Sequence, residues 1–302
     1  MRCRASLTGV LAAAALSACS VRQQAPDEHA QHEATSGGNV ALSTQPGTSL
    51  PPSSANVKTR LDASPRHAEW AVIRDGSDSV RAYVVYPERK DKAPVVVVIH
   101  EIFGLSTWIR GVADQLAADG FIAIAPDLLT GKVPLDGDTA TNAAARSAIA
   151  TLKPDDVHRQ LAAVAKYGMS LPAALPKYGI VGFCWGGSAS FAHAVRSLEG
   201  LGASVVYYGS SPPTADLSRV KVPVLGLYGG NDARVNATIP PADSAMKALG
   251  KAFEPHIFEG AGHGFLRAQG TSQDTTIAAA NVTATQKAWP LTISFFRKHL
   301  GA

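Results

Sequence analysis

Charge is scarce in this 302-residue chain: Asp, Glu, Lys and Arg make up 17% of it, against 46% hydrophobic residues. That balance excludes a disordered or solvating chain, which carries much charge and little to bury. The formal charge of +4 includes Arg2 and Arg4, which stand ahead of an apolar run, so the chain without them carries +2. Such a charge is too small and too scattered for a nucleic-acid or anionic-membrane partner. Cysteine is scarcer still, at Cys3, Cys19 and Cys184. With no C-x-x-C and no His/Cys cluster at ligand spacing, a redox or metal role is disfavoured and no cofactor is implied. There is no internal repeat, and the length suits one large single-domain core.

What is present begins with a leader. Met1 to Arg4 is cationic, and 7–16 is apolar but too short to span a bilayer, which marks 1–19 as a signal peptide. Leu16-Ser17-Ala18-Cys19 looks like a bacterial lipobox, in which Cys19 becomes a lipidated N-terminus; the alternative is an ordinary secretory signal with small residues at its cleavage site. Either way the expectation is export, as a periplasmic-side lipoprotein or as a soluble periplasmic or secreted protein. Ser20, where inner-membrane retention would call for aspartate, points to the outer membrane. Membrane contact is expected through this anchor alone. Residues 20–65 are polar, with Gly37-Gly38, Pro46-Gly47 and Pro51-Pro52, and read as a flexible tether ahead of a folded domain over 66–302.

The body alternates strand and helix signals. Strands are predicted over 70–74, 80–86, 95–100, 121–125, 179–183, 204–208, 222–228 and 253–258, with Asp75-Gly76 turning between the first two. Helices are predicted over 107–119, 139–167, 187–198, 241–249 and 275–300. The class is α/β, with a mostly parallel central sheet of about seven to eight strands flanked by helices on both faces.

The most informative segment is Gly182-Phe183-Cys184-Trp185-Gly186, a G-x-S-x-G nucleophile elbow of the α/β-hydrolase type with cysteine in the nucleophile's place. The flanking glycines make room for a sharp strand-to-helix turn. The following helix aims its N-terminus at the thiol, which favours thiolate, and offers the Trp185 N–H to a developing oxyanion. The bland alternative for Cys184 is a small buried apolar residue.

Downstream, acid and base arrive in the order this fold requires. Gly229-Gly230-Asn231-Asp232 follows a strand, and Gly262-His263-Gly264-Phe265 follows the next. His263 would take the thiol proton and return one to the leaving group, while Asp232 fixes its tautomer. Taken singly, Asp232 reads as turn chemistry and His263 as an exposed loop residue. Asp155, Asp156 and Asp216 do not follow predicted strands in the required position, and His193, His256 and His299 fall within helices or a strand.

With these residues in place, the chain resembles the dienelactone hydrolase family over roughly 69–300. The likeness rests on Ile99-His100-Glu101-Ile102-Phe103-Gly104-Leu105, on the elbow, on Gly229-Gly230-Asn231-Asp232 and on Gly262-His263-Gly264-Phe265. The resemblance implies cleavage of an ester or lactone, in a substrate that can carry a carboxylate. It implies that Glu101 lies beside the cysteine and helps to form the thiolate, and that the Ile102 N–H is the second oxyanion donor. It also implies two arginines for a substrate carboxylate. Arg267 matches one, but the other position falls in Leu129-Thr130-Gly131-Lys132-Val133-Pro134, where Lys132 is the substitute on offer. Phe103 and Phe265 are candidate pocket walls. The same residues would serve a general carboxylesterase or acyl-transferase, and a tethered binding module without activity would keep the fold but not the whole set.

Overall fold

In the computed structural model, which describes residues 50–301 apart from 77, 137, 138 and 141, the apolar runs become one eight-stranded sheet. The leader, the lipobox with Cys19 and residues 20–49 lie outside the described residues. The chain runs α1 (Val57–Asp62), β1 (Ala68–Asp75), β2 (Asp78–Val85), β3 (Ala93–Ile99), α2 (Thr107–Ala118), β4 (Ile122–Asp127) and a two-residue ribbon of β5 (Leu135–Asp136) and β6 (Thr139–Ala140). It continues through α3 (Asn142–Ile149), α4 (Pro154–Ser170), β7 (Ala174–Phe183), α5 (Trp185–Arg196), β8 (Leu201–Tyr207), β9 (Val224–Gly229), α6 (Ala233–Asn236), α7 (Ile239–Ala248), β10 (Phe253–Phe258) and α8 (Thr275–Leu300).

The sheet order is β1-β2-β4-β3-β7-β8-β9-β10. Pairs involving β2 are antiparallel and the rest are parallel. Every residue of β3 is buried, because a parallel strand is covered on both faces. Its side chains alternate: Val96 and Val98 pack with Trp108, Leu116 and Phe296 of α2 and α8, while Val95, Val97 and Ile99 pack with Leu161 and Val164 of α4. Helices α5 and α7 close a third cluster around Phe191, Val206 and Met246. This is an α/β-hydrolase fold.

The order places the site. From β3 the chain crosses to β4 on one side, and from β7 to β8 on the other, so the carboxyl ends of β3 and β7 diverge. Such a switch point leaves a crevice where connecting segments part. Glu101 leaves β3 into it, and Cys184 leaves β7.

Two expectations need correction. The helix predicted over 139–167 is two helices, α3 and α4, with Thr139 in the small ribbon. Pro154 occupies the first turn of α4, where its missing N–H is no loss, whereas inside a continuous helix it would remove a bond and clash. The stretch 50–65 is no tether either: Pro51, Pro52 and Ser53 are buried, α1 forms there, and Val57 belongs to the core. Among the described residues, no helix is long and apolar enough to cross a membrane.

Candidate active site

Cys184 caps the N-terminus of α5 with φ 56° and ψ −118°, a conformation that residues with a side chain rarely adopt. Two glycines permit it. A Cβ on Gly182 would fall 1.9 Å from the Gly186 carbonyl oxygen, and one on Gly186 would fall 2.4 Å from that of His100. The Cys184 N–H donates to the Tyr207 carbonyl at 3.1 Å, which ties the strained residue to β8. Cys184 is buried, at 7% exposure, at the N-terminus of α5, where the first helical N–H groups have no intrahelical acceptor. Helix α5 begins at Trp185, two residues before the expected start, so the Trp185 N–H is among those unpaired donors.

His263 stands between Cys184 and Asp232. Its Nδ1–H donates to Asp232 Oδ2, and Cys184 stands near enough on its other side to favour a charged ring. Burial disfavours charge on His263, but the bond to Asp232, with the negative charge of Asp232 and Cys184, pushes it up to about 10. Asp232 is itself held: its Oδ1 accepts the Val235 N–H at 3.2 Å as the cap of α6. Burial pulls the Asp232 carboxyl up, yet its hydrogen bond with His263 and that residue's charge hold it below its ordinary value.

Glu101 is buried on the loop after β3, its Oε2 lying 3.0 Å from Arg267 Nε. Burial raises its carboxyl above the ordinary range, against the opposing charges of Arg267 and His263. Next along the loop come half-buried Ile102 and buried Phe103. The Arg267 guanidinium lies 5.0 Å from the Phe103 ring centroid, and so does that of Arg146, from α3. Sequence reasoning missed Arg146, whose local cue is weak: it borders the buried pair Ala145 and Ile149 on one helix face. Lys132 is exposed in the turn after β4, whose backbone closes from the Lys132 N–H to the Leu129 carbonyl, and Arg146 stands beside Arg267 as a second cation at Phe103.

Phe265 is corrected here. It is fully buried against Tyr207, Tyr208 and Phe258, at ring distances of 5.5 to 5.9 Å, and belongs to the core beneath the site. Trp185 is half-buried and stacks on His100 at 5.7 Å. A second residue that sequence reasoning missed is Tyr208, just after β8. It has φ 39°, is fully buried, and its hydroxyl finds no hydrogen-bond partner among the described residues. Burial, then the charge of Glu101, raises it well above the ordinary phenol value, so it stays neutral.

The competing acids lie elsewhere: Asp155 pairs with Arg196, Asp156 with Arg159 and Asp216 with Arg219. His193 bonds to Tyr178, His256 to Glu254, and His299 packs on Phe295.

Residues 80–300 match the profile of the dienelactone hydrolase family. A provisionally named carboxymethylenebutenolidase of Salmonella typhimurium is 32% identical over 206 residues, 64% of this chain and 76% of its own. One of Escherichia coli K12, also provisionally named, is 31% identical over 211 residues, covering 66% and 77%. Among solved structures, a provisionally named dienelactone hydrolase from Klebsiella pneumoniae superposes with a TM-score of 0.65 at 24% identity, over 77% of this chain and 99% of that one. The dienelactone hydrolase of Anabaena variabilis gives 0.57 at 20%, over 78% and 98%. At these identities the structural likenesses speak for the fold.

Proposed function

The chain belongs to the dienelactone hydrolase family, whose members cleave ester or lactone bonds, and on that premise we propose that it hydrolyses a carboxylate-bearing ester or lactone through a thioester on Cys184. His263 takes the thiol proton, and Sγ attacks the carbonyl carbon. The carbonyl oxygen becomes an oxyanion, met by the backbone N–H groups of Ile102 and Trp185. Collapse breaks the C–O bond, and the departing oxygen leaves with the proton from His263. Water then adds to the thioester, yielding its proton to His263, and release of the carboxylic acid restores the thiol. In a lactone the alcohol stays joined to the acyl group throughout.

The observation that carries this reading is the placement of His263, whose Nδ1–H donates to Asp232 and whose charge Cys184 favours from the other side. Glu101 is the reserve proton acceptor beside the thiol. Its pairing with Arg267 loosens when an incoming carboxylate competes for that guanidinium. The two cations on Phe103 favour a carboxylate-bearing substrate over the neutral ester of a general carboxylesterase. The complete set of Cys184, Asp232, His263 and Glu101 disfavours a binding module without activity.

Hydrolysis of a neutral activated ester and of its carboxylate-bearing counterpart, by the intact chain beside Cys184→Ala, tests the reading. Turnover of both by the intact chain alone, with the charged ester preferred, is expected; equal turnover by Cys184→Ala would refute it. Arg146→Gln is expected to raise KM for the charged ester about tenfold, the loss of roughly one charge-assisted hydrogen bond, and to leave the neutral ester within about twofold. We further infer, from the lipobox alone, that Cys19 carries a lipid; radiolabelled palmitate entering the chain but not a Cys19→Ala variant is the expected result.

A further inference from the structure

The family match begins at Val80, yet residues 50–64 are already folded against the body, beside the loop that carries His263 and Arg267. That loop runs from the end of β10 to the start of α8 without regular structure beyond turns. From inside it is held by its own bonds, from the Arg267 and Ala268 N–H groups to the Gly264 carbonyl at 3.0 and 2.9 Å. From outside it is held by the N-terminal segment. The Ser54 N–H donates to the Arg267 carbonyl at 2.9 Å, and Gln269 Nε2 donates to the Pro51 carbonyl at 3.1 Å.

The segment is in turn fixed to α2. Trp108 Nε1 donates to the Pro52 carbonyl at 2.9 Å, and Arg60 joins the Leu50 carbonyl at 2.7 Å to Gln115 Oε1 at 2.6 Å. Arg66 pairs with Asp114 behind it. Trp108 packs edge-on against Phe183, the residue before Cys184, with centroids 5.1 Å apart. One brace therefore joins the elbow to the Arg267 loop. Its seat is shaped for it: a Cβ on Gly111 would fall 2.4 Å from Val57 Cγ2 and 2.8 Å from Pro52 Cγ. The consecutive prolines Pro51 and Pro52 arrive with φ already set, so little chain entropy is lost on docking.

We propose that residues 50–64 are a positioning strap that keeps Arg267 in register with Glu101 and the Cys184 elbow, and so sets the preference for a carboxylate-bearing substrate. The proposal rests on the reading of Arg267 given above. Its test needs no natural substrate: the rate of Cys184 alkylation by iodoacetate, which carries a carboxylate, is divided by the rate with neutral iodoacetamide. Two variants of the full chain disturb the strap alone. Gly111→Ala crowds Val57 while favouring the α2 helix by about 1 kcal/mol on propensity, and Arg60→Met removes the bonds to the Leu50 carbonyl and Gln115 Oε1 while leaving the Arg267 loop untouched.

Both variants are expected to lower the ratio about threefold or more, with the iodoacetamide rate little changed, and adding Val57→Ala to Gly111→Ala is expected to restore it. A merely structural segment would lower both rates together or neither, and either outcome overturns the strap. If the intact chain reacts with neither reagent, the cysteine-hydrolase reading has failed and takes the strap with it.

Discussion

His193 is buried and His263 nearly so, and both are hydrogen-bonded, yet they lie at opposite ends of the histidine range. Burial, with the positive neighbours His158 and Arg196, drives His193 down to about 3. His263 rises to about 10 in spite of burial, because Asp232 and Cys184 stand against it. The partner of His193 is the neutral Tyr178 hydroxyl, at 2.9 Å. The sign of the neighbours, not the depth, separates the two. Helix α5 carries both situations: at its N-terminus Cys184 faces a histidine held ready for charge, and in its last turn His193 seals an inert seam against His158 of α4.

The sharpest way to break this comparison is to take the charge from the partner of His263. Asp232→Asn leaves a neutral amide there, and kcat/KM on an activated ester is expected to fall by about 10³-fold or more. A loss below about tenfold would mean that the carboxylate is not what distinguishes His263.

A second effect comes from the seam. A histidine whose folded pKa is depressed takes up a proton on unfolding, so stability falls as pH drops below about 6.5, down towards the folded value. His193→Gln is expected to leave hydrolysis within about twofold and to flatten the acid loss of stability by about 1 kcal/mol per pH unit on average, read by urea unfolding between pH 7 and 5. An unchanged slope would show that His193 is already charged in the folded protein. The smallest effect is the mirror image. Because the folded pKa of His263 is raised, its stabilisation is complete below about pH 6.5 and drains away as pH climbs towards about 10. The difference in Tm between the protein and His263→Gln should therefore shrink between pH 6 and 9.5; a constant difference would deny the coupling.

The sequence made the sheet and the elbow legible for physical reasons. Strands buried on both faces are runs of Val, Ile and Ala, as in Val95 to Ile99 of β3, and the glycines of the elbow are imposed by backbone sterics at Gly182 and Gly186. Long-range fit left no comparable mark. Residues 50–65 are polar and proline-bearing, and what holds them is backbone carbonyls meeting Trp108 and Gln269, far along the chain. Arg146 reaches Phe103 from a short helix whose register nothing local announces. Pro154 was readable, since a proline within a helical pattern marks a boundary, and it divides α3 from α4.

The central claim is that acyl transfer passes through the sulfur of Cys184, and the most direct measurement is the intact mass of the full chain mixed with a slow activated ester and quenched in acid. The account predicts a gain of one acyl group, mapped to Cys184, released by hydroxylamine and absent from Cys184→Ala. Turnover without that adduct, or an adduct on another residue while Cys184→Ala stays active, would contradict it.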